Sequence, residues 1–132
     1  MKELLKARAQ ELGFDDCRVT TADAPATGKK FEEWLARQSH GEMSWLERNA
    51  FKRVEPSQVL AQAKSIVTLA VSYHSQRFSN GVGGIARYAR YQDYHDVLVE
   101  PLRALTDFVN ATGGVNTKSL WYVDTGPFLE RD

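Results

Sequence analysis

Cysteine is almost missing from this chain: Cys17 is the only one in 132 residues. A single thiol forms no internal disulfide, and it supplies neither the thiolates of an iron–sulfur cluster nor a Cys-based zinc site. It lies in Phe14-Asp15-Asp16-Cys17-Arg18-Val19-Thr20, a run with strand character, where a buried and inert thiol is the ordinary state. Histidine is scarce as well. Of His40, His74 and His95, no two stand at helical metal-ligand spacing and no carboxylate cluster surrounds them, so no metal ligand is assigned. Net charge is lacking too, since Lys plus Arg and Asp plus Glu both total 17. That balance removes any global field toward nucleic acid or membrane and leaves only a local patch open. No apolar run approaches the roughly 20 residues of a membrane span. The start, Met1-Lys2-Glu3-Leu4-Leu5-Lys6-Ala7-Arg8, lacks the apolar stretch of a signal peptide. The expected compartment is the cytoplasm, with no membrane partner.

The apolar content is sufficient for one compact α/β domain with a real core. Leu4, Leu5, Ala9 and Leu12 recur at helical spacing through residues 2–12, and Gly13 follows as a stop. A short strand is expected at about 14–20 and a loop at 21–29. A second helix, about 30–39, places Phe31, Trp34 and Leu35 on one face and ends at His40-Gly41. Met43, Trp45 and Leu46 predict a further short helix, and Pro56 begins one more turn. Ser65 to Tyr73 is nearly continuous and β-branched, which predicts a strand buried on both faces. Residues 74–84 read as a Gly-rich loop. From about Gln92 to Thr112 runs the longest helical pattern, with Val97, Leu98, Leu102, Leu105, Phe108 and Val109 as its stripe. Pro101 should start or kink that helix, and Gly113-Gly114 closes it. A last strand is expected at 119–124. Helices alternate with strands, and neither an internal repeat nor a low-complexity linker divides the chain.

Few motifs carry chemistry. Ser79-Asn80-Gly81-Val82-Gly83-Gly84 lacks the Gly-Lys-Ser/Thr ending of a phosphate loop and reads as a flexible hairpin or lid. Asp93-Tyr94-His95 opens like the Asp-x-His-x-x-Gly motif of some corrinoid proteins, but Leu98 stands where the glycine belongs. Asp93 is instead expected to cap a helix whose first turn holds Tyr94 and His95. Arg53, in Phe51-Lys52-Arg53-Val54-Glu55-Pro56-Ser57, reads either as a solvated linker charge between two helices or as a holder of amide, phosphate or carboxylate groups. Ile85-Ala86-Arg87-Tyr88-Ala89-Arg90-Tyr91 interleaves arginine with tyrosine. That pattern suits stacking on a flat conjugated ligand or on bases, and it suits an amphipathic edge strand equally. The small Ala86 would let a bulky planar group approach the backbone.

Tyr122-Val123-Asp124-Thr125-Gly126-Pro127-Phe128 is the most informative stretch. An apolar run ends in an aspartate, a turn pair and a new helical pattern opening at Pro127. An acid at a strand's end with a helix behind it is where open α/β folds place ligand chemistry. Partly desolvated beside Trp121 and Phe128, Asp124 is expected to have a raised pKa and to deliver a proton near neutrality. Its other reading is a helix cap. Too few residues follow Pro127 for a stable helix, so the chain is expected to be the front part of a longer protein.

Several segments, taken in order, resemble the N-terminal half of epoxyqueuosine reductase, a cobalamin-dependent iron–sulfur enzyme of tRNA modification. They are His40-Gly41-Glu42-Met43, Lys52-Arg53-Val54-Glu55-Pro56, Ala63-Lys64-Ser65-Ile66-Val67, Ile85-Ala86-Arg87-Tyr88-Ala89, Asp93-Tyr94-His95-Asp96-Val97-Leu98 and Val123-Asp124-Thr125-Gly126-Pro127. Residues 1–39 fit the family's opening helix-strand-helix. The resemblance implies a nitroreductase-like α/β fold, a mixed sheet flanked by helices, that binds cobalamin without a histidine beneath the cobalt. It implies reduction of the epoxide of epoxyqueuosine, in the anticodon loop of tRNA, to the alkene of queuosine. Two 4Fe–4S clusters in a ferredoxin-like module would pass electrons to the corrin. On this pattern Asp124 is the proton donor to the epoxide oxygen and lies against the cofactor, Arg53 contacts the corrinoid, and Ala86 lies near it.

Departures from the family pattern are Tyr91-Gln92, where many members carry a glycine and a basic residue, Pro101 within the long helix, and the absent cysteine-rich cluster region. Residues 1–132 are accordingly expected to be a C-terminally truncated cobalamin-binding domain without turnover of its own. The clusters and most of the tRNA surface would lie in the missing part, and a normally covered face would promote a homodimer. The competing readings are a stand-alone corrinoid carrier and a flavin-binding nitroreductase relative.

Overall fold

A computed structural model of the protein describes residues 1–74 and 86–129. Its elements run α1 (Lys2–Glu11), β1 (Asp16–Thr21), α2 (Gly28–Ala36), α3 (Ser44–Arg48), α4 (Ala50–Val54), β2 (Ser65–Ala70) and α5 (Tyr94–Thr112), with 3-10 turns at Pro56–Gln58 and Arg87–Arg90. The class is mixed α/β, as the alternation of helical and strand patterns predicts. The backbone groups into two compact units interleaved in sequence, Met1–Arg18 with Val67–Val123 and Val19–Ile66 with Asp124–Asp132.

In the first unit α1 packs on α5. Leu5 and Ala9 lie one turn apart on α1, and Leu102 and Leu105 lie three apart on α5, so each pair occupies one helix face. With Phe14 and Cys17 they are buried, and each large side chain removed from water contributes about 1.5–3 kcal/mol. Gly13 ends α1 with φ +93, a conformation that costs a glycine little. At the start of α5 the Asp93 carboxylate accepts the His95 N–H at 2.9 Å, the cap expected from sequence. The helix continues through Pro101. The missing N–H deprives the Val97 carbonyl of its helical donor. Val97, the first residue of the apolar stripe, is itself exposed, whereas Leu102 and Leu105 are buried.

The sheet has two strands, β1 and β2, among the described residues. They run antiparallel: the Asp15 N–H donates to the Ala70 carbonyl at 2.9 Å, and the Ala22 N–H to the Lys64 carbonyl at 3.2 Å. Two sequence expectations fail here. Residues 119–124 form no strand, because strand character becomes a strand only where a partner ladder receives it. β2 is not buried on both faces: Ile66 and Leu69 are half-buried whereas Val67 is exposed. An apolar strand is covered twice only where layers pack on both of its sides. The glycine-rich loop motif, with Gly81, Gly83 and Gly84, lies outside the described residues.

In the second unit α2 and α4 pack together, as do α3 and α4. Gly28, the first residue of α2, is buried, and a Cβ there would sit 3.4 Å from Val54 on α4. A methyl at Gly28 would thus meet the Val54 side chain at ordinary van der Waals distance. No helix among the described residues is long and apolar enough to cross a membrane.

Candidate functional site

Arg53 is not in a linker. It belongs to α4, where its N–H donates to the Asn49 carbonyl at 3.2 Å. The sequence reading missed this helix because Phe51 to Val54 offers only one helical turn, too short for periodicity to show. The Arg53 side chain is half-buried. Its Nη1 donates to the main-chain carbonyl of Phe128 at 3.0 Å, joining positions 75 apart in sequence. Its Nε is buried and has no hydrogen-bond partner among the described residues. A guanidinium donor to a carbonyl makes a charge-assisted bond, stronger than its neutral counterpart.

That bond ends in the segment carrying Asp124. Asp124 stands on a bend with φ +55, and its residue is exposed. It is therefore not at the end of a strand, which corrects that premise of the sequence reading. The left-handed conformation is uncommon outside glycine, although aspartate is one of the residues that tolerates it best. The helix expected from Pro127 does not form through Leu129. Instead Pro127 is buried and the Phe128 N–H turns back to the Gly126 carbonyl at 3.0 Å. Asp124 is thus followed closely by two fixed points, the buried Pro127 and the Arg53-bound Phe128.

Ala86 belongs to the other unit. It precedes the 3-10 turn Arg87–Arg90, accepts the Ala89 N–H at 3.1 Å and is exposed, with Tyr88 and Tyr91 also exposed. The edge-strand reading of this segment fails, since alternation of polar and apolar residues says nothing about whether a neighbouring strand exists. Arg53 and Asp124, by contrast, share one unit.

Two features carried no clear sequence signal. His40 is buried, with its Nε2 3.9 Å from Glu47 on α3, its ring beside Trp34 of α2, and its Nδ1 without a hydrogen-bond partner among the described residues. The only local hint was the glycine after it, Gly41, which takes φ +56. In the first unit, Lys6, Asp15, Asp16, Cys17 and Arg18 line an open polar groove. Arg18 closes onto Asp16 at 2.9 Å, and that hydrogen bond holds the Asp16 carboxyl below the usual carboxylate range. Burial pushes the Cys17 thiol up. Among the described residues no group of three or more His, Cys, Asp or Glu is arranged to hold a metal ion.

The family described as epoxyqueuosine reductase QueG, DUF1730, matches residues 53–125, a span that opens at Arg53 and takes in Ala86 and Asp124. The chain is 31% identical to the epoxyqueuosine reductase of Cellulophaga algicola over 132 residues, which is 98% of this chain and 42% of that protein. A crystal structure of epoxyqueuosine reductase with an epoxyqueuosine-modified tRNA-Tyr stem loop superposes with a TM-score of 0.75 at 34% identity, covering 98% of this chain and 36% of that one. The Bacillus subtilis epoxyqueuosine reductase, with an aspartate-bearing catalytic loop swung out of the active site, superposes with a TM-score of 0.68 at 32% identity and the same coverage. The chain spans about two fifths of the length of the curated relatives it matches. With the family match running across more than half of its residues, the chain belongs to the epoxyqueuosine reductase QueG, DUF1730 family.

Proposed function

We propose that this chain is the cobalamin-binding, acid-bearing N-terminal region of a cytoplasmic oxidoreductase that reduces epoxyqueuosine in the anticodon stem-loop of tRNA to queuosine. The observation that carries the reading is the hydrogen bond from Arg53 Nη1 to the Phe128 carbonyl, which ties Arg53 to the chain just beyond Asp124 within one unit; Arg53 and Asp124 both fall in the family-matched residues 53–125. Asp124 is the proton donor: its carboxylic acid protonates the epoxide oxygen as the C–O bond breaks, so that no free alkoxide has to develop. Its exposure on a bend supports this role, because a donor to a bulky nucleotide must be reachable. A relative whose aspartate-bearing catalytic loop is swung out of the active site supports a movable segment here too.

The residues present fit cobalamin chemically. Arg53 keeps a buried Nε donor with no hydrogen-bond partner among the described residues, suited to an amide or phosphate oxygen of the corrinoid. In the other unit, the exposed Ala86 offers a backbone that a large planar group can approach. When bound, cobalamin supplies a reduced cobalt centre that is nucleophilic toward carbon. The two 4Fe–4S clusters do not fit this chain, whose single buried cysteine provides no ligand set, and the reading assigns them to a downstream region.

Titration of the chain with cobalamin and with FMN, followed by visible spectra, tests the cofactor. Saturable FMN binding without corrinoid binding would overturn the reading in favour of a flavin protein. In the full-length protein, Asp124→Asn should retain cobalamin and lose epoxide reduction, whereas normal turnover in that variant removes the acid role.

A further inference from the structure

The chain as a whole carries no net charge, so contact with a polyanion has to come from a local patch. The helix pair α3–α4 of the second unit carries one. A single residue, Asn49, joins the two helices. Its N–H donates to the Trp45 carbonyl at 3.3 Å, and its carbonyl accepts the Lys52 N–H at 3.1 Å. Helical winding is therefore nearly continuous from Ser44 to Val54. Trp45, Arg48 and Phe51 follow at spacings of three, with Lys52 four beyond Arg48, which places all four on one side. The half-buried Leu46, Ala50, Arg53 and Val54 occupy the other side of the same winding.

The outer side is aromatic and basic. Trp45 and Phe51 are 50% and 52% exposed, and Arg48 between them is exposed too. Single exposed apolar side chains are ordinary, but two rings flanking an arginine make a surface with a definite chemistry. The Lys52 ammonium adds to it, 5.7 Å from the centroid of the Phe51 ring. Neither Arg48 nor Lys52 enters a salt bridge among the described residues. The acidic neighbour, Glu47, has its carboxylate 3.9 Å from His40 Nε2.

We propose that Trp45, Arg48, Phe51 and Lys52 form a contact surface for the loop of an RNA stem-loop. The two rings stack on unpaired bases and the two cations meet phosphates. This rests on the reading of tRNA as the substrate, and it adds which residues of this chain touch that RNA. Charge decides the occupant. An apolar partner would leave both cations without a counter-charge, whereas a nucleotide brings a phosphate with every flat base.

Binding of a fluorescein-labelled anticodon stem-loop to the full-length protein, followed by anisotropy over a range of salt, tests the surface. Trp45→Ala and Phe51→Ala should each weaken binding roughly 10-fold, while Trp45→Phe, which keeps a stacking face, should bind close to the parent. Arg48→Gln and Lys52→Gln should each flatten the plot of log affinity against log salt by about 0.7. Cobalamin affinity should be unchanged in all of these variants, and added RNA should slow hydrogen exchange across residues 44–52. Parent-like affinity and slope in the variants overturn the surface while the proposed function stands. Residues 44–52 that are fully protected before RNA is added also overturn it, because the rest of the protein then covers them. So does an equal fall in slope for Lys2→Gln, on α1 of the other unit, which would reduce the effect to overall charge. A parent protein that binds no stem-loop removes the proposed function and this surface together.

Discussion

The carboxylate of Asp15 accepts the backbone N–H of Ser72 at 2.6 Å while the Asp15 N–H donates to the Ala70 carbonyl at 2.9 Å. One residue thus grips the exit of β2 from both its backbone and its side chain, just where the ladder to β1 begins. Replacing Asp15 by alanine removes the acceptor and leaves the backbone bond. The expected loss is about 1 kcal/mol in chemical denaturation. Asp15→Asn, which keeps an acceptor oxygen, should lose less than alanine, and an equal loss in both variants would show that the charge rather than the bond matters.

Leu105 is buried between α5 and its neighbours, whereas Val115, just beyond the helix, is 96% exposed. Leu105→Ala should destabilise by about 2–5 kcal/mol, the cost of lost burial plus a cavity. Val115→Ala should fall within about 0.5 kcal/mol of the parent. Paired denaturation curves decide both, and comparable losses at the two sites would contradict the core assigned here.

Burial pushes the Cys17 thiol above its usual value, with neighbouring Lys6 pulling the other way and Asp16 adding to the rise. Less thiolate is present at a given pH, and the sulfur is also shielded. In the folded protein Cys17 should therefore react with iodoacetamide much more slowly than in urea. Equal rates in the two states would place the thiol at the surface.

Asp93 gives the pH dependence of α5. Its carboxyl is held below the usual range, first by the backbone N–H of His95 and then by the His95 ring at 2.8 Å. A depressed folded value means the cap stabilises fully above the unfolded value near 4 and is lost as pH falls through the folded one. The amides at the start of α5 should lose protection on acidification between about pH 5 and pH 2. In Asp93→Ala this acid-dependent step should disappear, and its persistence would assign it to another carboxylate.

Much of the helical scaffold is legible without coordinates. The spacing of Leu5 with Ala9 and of Leu102 with Leu105 names the faces that are buried, Gly13 names the end of α1, and Asp93 names the start of α5. Each of these is a relation between residues within a turn or so of one another, which is the range over which helical sequence patterns act. The residue pattern of the family, too, is carried by the order of short segments and needs no fold to be seen.

The sequence by itself determined the helices α1, α2, α3 and α5, the Asp93 cap and the family membership, because hydrogen bonds within a helix and the spelling of a motif are local. Only the tertiary structure decided that residues 119–124 make no strand, that Asp124 stands exposed on a left-handed bend, and that Arg53 holds the Phe128 carbonyl. Strand pairing, exposure and a bond across 75 positions each depend on what the rest of the chain brings alongside, and no local pattern encodes that neighbour.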